Sequence, residues 1–371
     1  MERVYLHGTA VHRSWADPAA SLTDLIFATT SAALAQAGLR VRDVDSVILG
    51  AHDVTDGRSL SSMVTAPAAG AYLKDEIRLG DDGASAFVLG TAQIRAGASR
   101  ACIVAAWGRA SEGVPDAVAA ALFDPFFTRP LGLTEITVSA LRAGAALARY
   151  PDYHVWRSAA VARRTVTAGA AMAGAATAGA AGRRSPAPLP LRSEELPVWS
   201  DVVAAAVLSA DPGPVEVRGV GMSTEPYQIG DRDLLGLPAL ARASSQALRA
   251  AGCVIEEVDV LELDGLTLFD EALSVEAVGA APAGRGMRLL AQSPQVNRDG
   301  GFAAGYCAPA MGLVRICEAA GRLTEPGSVA LASGSSVVAA QAQAAVVLAH
   351  PGKPAGRPVT RGPARAREQG E

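Results

Sequence analysis

The sequence lacks the cysteine patterns that bind metals or crosslink a chain. Its four cysteines, among 371 residues, are Cys102, Cys253, Cys307 and Cys317. No two of them form a CxxC pair, so the spacing predicts neither a zinc site nor a disulfide framework. A free cysteine is more often a small buried hydrophobic residue than a nucleophile. We therefore expect no metal site.

A large excess of basic charge is missing as well. The chain carries 33 Lys and Arg against 37 Asp and Glu, which gives a formal net charge of −4. A nucleic-acid partner, which needs an extended basic surface, is not expected. Basic residues are concentrated in residues 351–371, where proline, glycine and arginine predict a disordered tail.

Long apolar runs are also absent. No stretch is long enough to cross a bilayer, and no leader with a cleavage pattern is recognised. We therefore expect no membrane partner and a cytoplasmic location. With 50% hydrophobic and 19% charged residues, the composition is typical of a globular protein large enough for a duplicated unit.

The chain does contain alternating helix-period and strand-period segments, which predict an α/β fold. An internal repeat is visible between residues 33–49 and 247–263. In each copy an alanine-rich helix ends at a glycine, Gly38 or Gly252, the residue type that commonly follows a helix. A short acidic turn and an apolar strand come next. The repeat predicts two similar halves.

The segment Leu79 to Gly90 has the pattern of a nucleophile elbow without its nucleophile. A strand, a tight turn at Gly80 and a helix to Gly97 would place the turn at a helix N-terminus. The free N–H groups there stabilise an anion such as a thiolate. The turn offers instead Asp81 and Asp82, which we expect to cap the helix.

The domain organisation predicted from these patterns is discontinuous. Residues 1–114 and 200–212 form one half, and residues 213–350 form the other. Residues 115–199 form an inserted loop domain with one helix from Thr134 to Arg149 and a second from about Asp152. An alanine- and glycine-rich tract over 168–182 predicts a weak helix, because each glycine costs about 1 kcal/mol relative to alanine.

Together these features resemble the thiolase superfamily, closest to its lipid-transfer-protein or sterol-carrier-protein-x branch. The most specific parts are the loop 124–132, the strand entry Ser200-Asp201, and Val296-Asn297 followed by two glycines. The resemblance implies a five-layer α/β/α/β/α sandwich built from two βαβαβαββ halves. It also implies dimers and acyl-CoA thioester chemistry. We expect the strand Ala101 to Ala106 to pair across the dimer axis.

Four departures mark the chain as a degenerate member of that family. Gly80 stands where the family has its nucleophilic cysteine, and Gly265 stands where an imidazole or amide forms the oxyanion hole. Tyr306 replaces the catalytic histidine. Ala332 replaces the second, acid/base cysteine.

Tyr306 is the principal catalytic candidate that remains. It is either a core tyrosine with a satisfied hydroxyl or a proton donor and acceptor in a pocket, with Asp264 or Asn297 as its partner. Cysteine-lacking, thiolase-like aldolases of steroid side-chain degradation rely on tyrosines. Arg183 and Arg184 lie where the family contacts the CoA adenosine diphosphate, and they also suit a solvated loop.

Three functions remain open from the sequence. The first is a non-catalytic subunit that pairs with an active thiolase or ketosynthase homologue. The second is a cysteine-independent carbon–carbon lyase, or retro-aldolase, that uses Tyr306. The third is an acyltransferase with an unrecognised nucleophile. No cofactor is required in any of them, and an acyl-CoA or acyl-carrier thioester is the expected ligand. Expected partners are a second copy, an active homologue, or a small zinc-ribbon/OB-fold protein.

Overall fold

A computed structural model describes residues 2–14, 20–56, 62–113, 115–173, 184–336 and 338–352. The predicted disordered tail lies outside these ranges from residue 353 onward. Most of the alanine- and glycine-rich tract, from residue 174, lies outside them too. Within the described ranges no helix combines the length and the apolar character that a membrane crossing requires.

Nine strands and eleven α-helices make up the described fold. The strands are β1 (Tyr5–Ser14), β2 (Ser46–Gly50), β3 (Asp75–Leu79), β4 (Ala101–Arg109), β5 (Asp201–Ser209), β6 (Val215–Thr224), β7 (Val260–Glu262), β8 (Val329–Ser335) and β9 (Ala342–Ala349). The helices are α1 (Leu22–Ala37), α2 (Asp53–Asp56), α3 (Ser62–Thr65), α4 (Gly83–Arg95), α5 (Pro115–Ala120), α6 (Glu135–Arg149), α7 (Pro151–Ala173), α8 (Pro238–Ala251), α9 (Leu268–Ala277), α10 (Gly286–Gln292) and α11 (Ala308–Gly321).

The strand order shows the predicted duplication. One half has the order β3-β2-β4-β5-β1 and the other β6-β9-β8-β7. In both halves the inner strands run parallel to one another and the returning strands run antiparallel to them. Two residue pairs, Tyr5 with Glu216 and Leu6 with Val215, join β1 to β6, and the Val217 N–H donates to the Val4 carbonyl beside them at 2.9 Å.

The helices that end each repeat also agree. Gly38 after α1 and Gly252 after α8 both adopt φ of 67°, the left-handed conformation that glycine reaches without strain. The second half lacks a full counterpart of β3. Its place is taken by a single parallel bridge between Val296 and Leu261 of β7. The duplication is therefore confirmed, and the second copy is the shorter one.

Five layers result from the way these helices cover the strands. Helix α1 packs on the outer face of the first half, and α8 packs on the outer face of the second. Helices α4 and α11 contact each other between the two halves. Side chains along β4 alternate accordingly: Ile103 and Trp107 belong to the core under α1, whereas Val104 and Ala106 face the central helices. The predicted five-layer α/β/α/β/α sandwich is confirmed.

The helices predicted within the insertion are confirmed as α6 and α7. Thr134 caps α6 by accepting a hydrogen bond from the Thr137 N–H at 3.2 Å. The polar residues Glu135, Ser139 and Arg142 then follow on one face of an otherwise alanine-rich helix.

The expectation that Ala101 to Ala106 pairs across a dimer axis is wrong. These residues belong to β4, which lies between β2 and β5 and is hydrogen-bonded on both sides. Its apolar character on both faces reflects burial on both faces of the sheet. The free edge of this half is β3.

The central helices cross at a buried carboxylate. Asp82 caps α4, as expected, and accepts from the Ala84 N–H at 2.8 Å. Its other oxygen accepts from the N–H of Gly312 in α11 at 2.9 Å. Burial first, and then the charge of Asp264, raise the Asp82 pKa well above its ordinary value. One side chain thus links both central helices.

Gly312→Ala should destabilise the fold by about 1–3 kcal/mol or more through overpacking of this crossing. A Cβ at Gly312 would lie 1.8 Å from the Asp82 Oδ1 and 2.7 Å from the Ala84 Cβ. Gly321→Ala, in the same helix with nothing within 4 Å, is the control and should be neutral or slightly stabilising. Urea unfolding of both variants measures the difference. Equal midpoints would contradict the proposed tightness of the crossing.

Candidate functional site

A cavity of about 270 Å³ lies where the carboxyl ends of the parallel strands from both halves meet. Its wall includes Thr55 after β2, Arg109 at the end of β4, Asp264 after β7 and Ser335 at the end of β8. Ligands of α/β proteins commonly bind at this end of parallel strands. The insertion closes the cavity with residues of α5 and α6.

Tyr306 lies in the cavity wall, just before α11. Its backbone is held by hydrogen bonds to Val198 (2.8 Å) and from Ser200 (3.2 Å). The Trp199 ring packs edge-on against its ring at 5.9 Å. The hydroxyl donates to the Asp264 Oδ1 at 3.2 Å. The phenol is therefore oriented by both its ring and its oxygen.

Asp264 is buried and connects Tyr306 to β8. The Ser335 hydroxyl donates to the Asp264 Oδ2, and the Asp264 N–H donates to the Ser333 Oγ at 3.1 Å. Burial raises the Asp264 pKa, while the hydrogen bond from Ser335 and the charge of Arg315 oppose this rise. Burial also raises the Tyr306 pKa, and the charge of Asp264 adds to the effect. The phenol therefore donates its proton to a carboxylate that is held in place by two serines.

Ser333 and Ser335 belong to the motif that in this chain reads Ala332-Ser333-Gly334-Ser335-Ser336. From the sequence, only Ala332 of this segment was named, and the serines of the segment were missed. The run of serines at the end of β8 was the available signal.

A second polar wall comes from the insertion, and the sequence reasoning missed it. Arg142 of α6 forms a buried ion pair with Asp270 at 2.9 Å, and Ser139 donates to the same carboxylate at 2.5 Å. Both Glu135 oxygens accept from the Ala339 N–H, at 2.9 and 3.0 Å. All four side chains line the cavity. The spacing of Glu135, Ser139 and Arg142 on one face of α6 is the signal that points to these three residues.

Asn297 does not join the Tyr306–Asp264 pair. Both of its amide N–H groups are used inside the fold, by the Leu263 carbonyl and the Glu271 Oε1, each at 2.8 Å. Its oxygen accepts from the Leu263 N–H at 2.7 Å. The residue is fully buried with φ of 44°, a conformation that asparagine tolerates well. Asn297 therefore fixes the loop that follows β7.

The two arginines proposed for CoA are described only in part. Arg183 lies outside the described residues. Arg184 donates to the backbone carbonyl of Ser193 at 3.0 Å and to that of Leu196, and it is not part of the cavity wall. Burial lowers its pKa. Its guanidinium therefore holds the segment 193–196, which leads into β5, by two hydrogen bonds.

The surroundings of Gly80, Gly265 and Cys307 are also defined. A Cβ on Gly80 would lie 3.6 Å from the His52 Cδ2, which is ordinary contact. A Cβ on Gly265 would lie 2.7 Å from the Glu271 N, so a larger residue would displace backbone. Cys307 lines the cavity, and its sulfur lies against Gly108. In the described ranges no three His, Cys, Asp or Glu side chains are grouped to hold a metal.

No family model and no curated protein matches the chain. Solved structures do match. The "Ltp2-ChsH2(DUF35) aldolase" is 18% identical with a TM-score of 0.71, covering 94% of this chain and 98% of that one. A monomeric SCP2-thiolase-like protein of Mycobacterium smegmatis is 16% identical, TM-score 0.67, covering 93% and 77%. The Acat5 thiolase of Ascaris suum in complex with coenzyme A is 13% identical, TM-score 0.67, covering 94% and 100%. The fold is thiolase-like.

Gly80→Cys should fold and expose a thiol without creating a thiolase. The cysteine fits beside His52, but catalysis also needs a base and an oxyanion hole, and these groups act as a unit. Acetoacetyl-CoA thiolysis should stay at the wild-type level in a spectrophotometric assay. Gly230→Cys, at an open surface position, is the control for nonspecific thiol reactivity. Thiolysis by Gly80→Cys well above both proteins would refute the expectation.

Proposed function

We propose that the chain is a cysteine-independent carbon–carbon lyase that cleaves a β-hydroxyacyl thioester in the retro-aldol direction. The observation that supports this most is the Tyr306–Asp264 pair in the wall of an open cavity. A phenol backed by a carboxylate can pass a proton to and from a substrate hydroxyl. It can neither form an acyl-enzyme nor replace a thiolate.

The reaction needs two proton transfers. Tyr306 takes the proton of the substrate β-hydroxyl as its own proton moves to Asp264. The bond between the α- and β-carbons then breaks, and its electron pair becomes a thioester enolate while the β-carbon leaves as a carbonyl compound. A second proton must reach the α-carbon to complete the shorter thioester.

The enolate oxygen needs a positive neighbour, and Arg142 is the suitable group. It lies in the cavity wall, and its Nε–H has no hydrogen-bond partner among the described residues. A fixed cation in an enclosed site stabilises developing negative charge far more than it would in water. The ion pair with Asp270 keeps this guanidinium in place.

An acyl-CoA or acyl-carrier thioester is the proposed substrate class. The matched structures include one described as an aldolase and one described as a thiolase in complex with coenzyme A. Arg183 and Arg184 remain candidates for the CoA phosphates. Of these, Arg184 would have to give up its bonds to Ser193 and Leu196. No further cofactor is required by the chemistry.

The non-catalytic subunit is the second candidate, and the missing groups favour it. Gly80, Gly265 and Ala332 together remove the nucleophile, the oxyanion donor and the second cysteine. In that reading the chain supports an active thiolase or ketosynthase homologue. The acyltransferase reading is the weakest of the three, because Cys307 is the cavity's one thiol among the described residues and is 7% exposed.

For assembly we propose the edge at β3, in a homodimer or with a homologue. Apolar side chains just before this edge are strongly exposed, namely Met63 (74%), Tyr72 (74%) and Leu73 (88%). An unpaired edge strand beside apolar surface is a template for association. A small zinc-ribbon/OB-fold protein is the other proposed partner, and the matched aldolase is named for two components, Ltp2 and ChsH2(DUF35).

Tyr306→Phe should lower cleavage of a β-hydroxyacyl-CoA by about 10²–10⁴-fold, because it removes the acid/base oxygen and keeps the ring. The matched control is Tyr153→Phe, which removes a buried hydroxyl bonded to Glu276 at 2.8 Å outside the cavity. Release of the carbonyl product measures turnover. Intact-protein mass spectrometry should show no acyl adduct.

Two results would overturn the lyase. An adduct mapped to Cys307 would revive the acyltransferase. No turnover by the isolated chain or its complexes, together with a stable complex that activates a thiolase homologue, would establish the non-catalytic subunit.

Leu73→Asp should convert a dimer into a monomer in light scattering at micromolar concentration. A charge at this exposed position cannot be buried in an interface without a large desolvation cost. Val155→Asp, at an equally solvent-facing position on α7 (71% exposed), should leave the assembly unchanged. A wild-type monomer would count against the β3 edge.

A further inference from the structure

Glu135 is the one carboxylate that α6 contributes to the cavity. It is the first residue of that helix, immediately after the Thr134 cap. Its two oxygens are held by the Ala339 N–H. Ala339 and Ala340 have φ of 51° and 53°, so the loop that carries this N–H is in a strained conformation. The carboxylate therefore has a fixed place in the wall.

Arg142 and Arg232 interact with Glu135 through their charge, but both guanidinium groups donate to the Ala339 carbonyl rather than to this carboxylate. Among the described residues it forms no ion pair, whereas Asp270 is paired with Arg142 and Glu112 with Arg109. Burial raises the Glu135 pKa to about 8; the Ala339 hydrogen bond and the charge of Arg142 oppose this, and Asp270 and Asp116 add to it. At neutral pH the group is mainly a neutral acid.

Glu135 and Tyr306 line the same cavity from different parts of the chain. The charge of Glu135 is among the influences that raise the Tyr306 pKa, and both side chains line the same cavity. Glu135 comes from the insertion, and Tyr306 comes from the second half. The cavity therefore presents two proton-transfer groups to a bound molecule from two separate walls.

We propose that Glu135 is the acid that delivers the second proton, to the α-carbon of the thioester enolate left by cleavage. This inference rests on the proposed function. The enolate carbon takes the Glu135 carboxyl proton, a carbon–hydrogen bond forms, and Glu135 becomes a carboxylate. The proton that Asp264 received returns to Glu135 through solvent, so the cycle is balanced.

Asp270 is not an alternative for this role. Its carboxylate accepts from Ser139, Arg142 and the Thr267 hydroxyl, so both oxygens are occupied. Asp264 accepts hydrogen bonds from Tyr306 and Ser335, and in the proposed reaction it takes the first proton through Tyr306. Glu135 is the cavity carboxyl whose only direct hydrogen-bond donor, among the described residues, is a backbone N–H.

The test measures hydrogen exchange at the α-carbon, which can be followed separately from bond cleavage. In heavy water the wild-type chain should exchange the α-hydrogens of acetyl-CoA, measured by mass spectrometry. This reverse step needs the Glu135 carboxylate, so exchange should rise as pH passes about 8. Cleavage of a β-hydroxyacyl-CoA needs the protonated acid and should fall through the same pH.

Glu135→Gln should lose the pH dependence of both exchange and cleavage near pH 8. Its exchange rate should fall by at least about 10²-fold. Glutamine still offers an oxygen to the Ala339 N–H, so the loop stays in place. Glu225→Gln is the matched control, because burial also raises the pKa of Glu225 and its side chain lies outside the cavity wall. Tyr306→Phe should lose cleavage and keep exchange.

The outcomes separate the two proposals. Exchange that is lost in Glu135→Gln, without any cleavage by the wild-type chain, keeps Glu135 as the group that moves the α-proton but rejects the lyase. Cleavage that is unchanged in Glu135→Gln, with the same pH profile, rejects Glu135 and leaves the lyase standing. Absence of exchange by the wild-type chain also rejects Glu135, whether or not cleavage occurs.

Discussion

The whole arrangement depends on the crossing of α4 and α11 at Asp82. The N-terminus of α4 meets the second turn of α11 inside the protein, and each contributes an N–H group to one carboxylate. Glycine at 83 and 312 allows the close approach, since a Cβ at either would collide with the facing helix or strand. Tyr306 lies two residues before α11, so the same crossing sets where its hydroxyl lies relative to Asp264.

The sequence predicted the fold better than it predicted the residues of the candidate site. The repeat, the five layers and the helices of the insertion follow from periodicity and glycine positions, which are local properties. The error at Ala101 to Ala106 has a physical reason: apolar residues on both faces occur in a central strand as well as in a buried edge. Strand order, which separates the two, comes from long-range pairing.

The candidate site was predicted in part for a similar reason. Tyr306 could be named because the resemblance gives its position a catalytic role, and Asp264 was named as its possible partner. Glu135, Arg142 and Ser335 could not, since only the fold brings α6 and β8 to the same cavity. Asn297 matched a motif, yet its amide is used up by the Leu263 backbone and Glu271. A motif match identifies a position, whereas hydrogen bonds decide whether its side chain is available.

The narrow junction between β1 and β6 has a consequence for folding. The strand junction is short, so association of the halves depends mainly on the central helices and the insertion. The cavity wall draws on both halves, and neither half alone contains the complete binding site. Ligand binding will therefore stabilise only the fully docked state, and its effect on unfolding will report docking of the halves rather than the stability of either one.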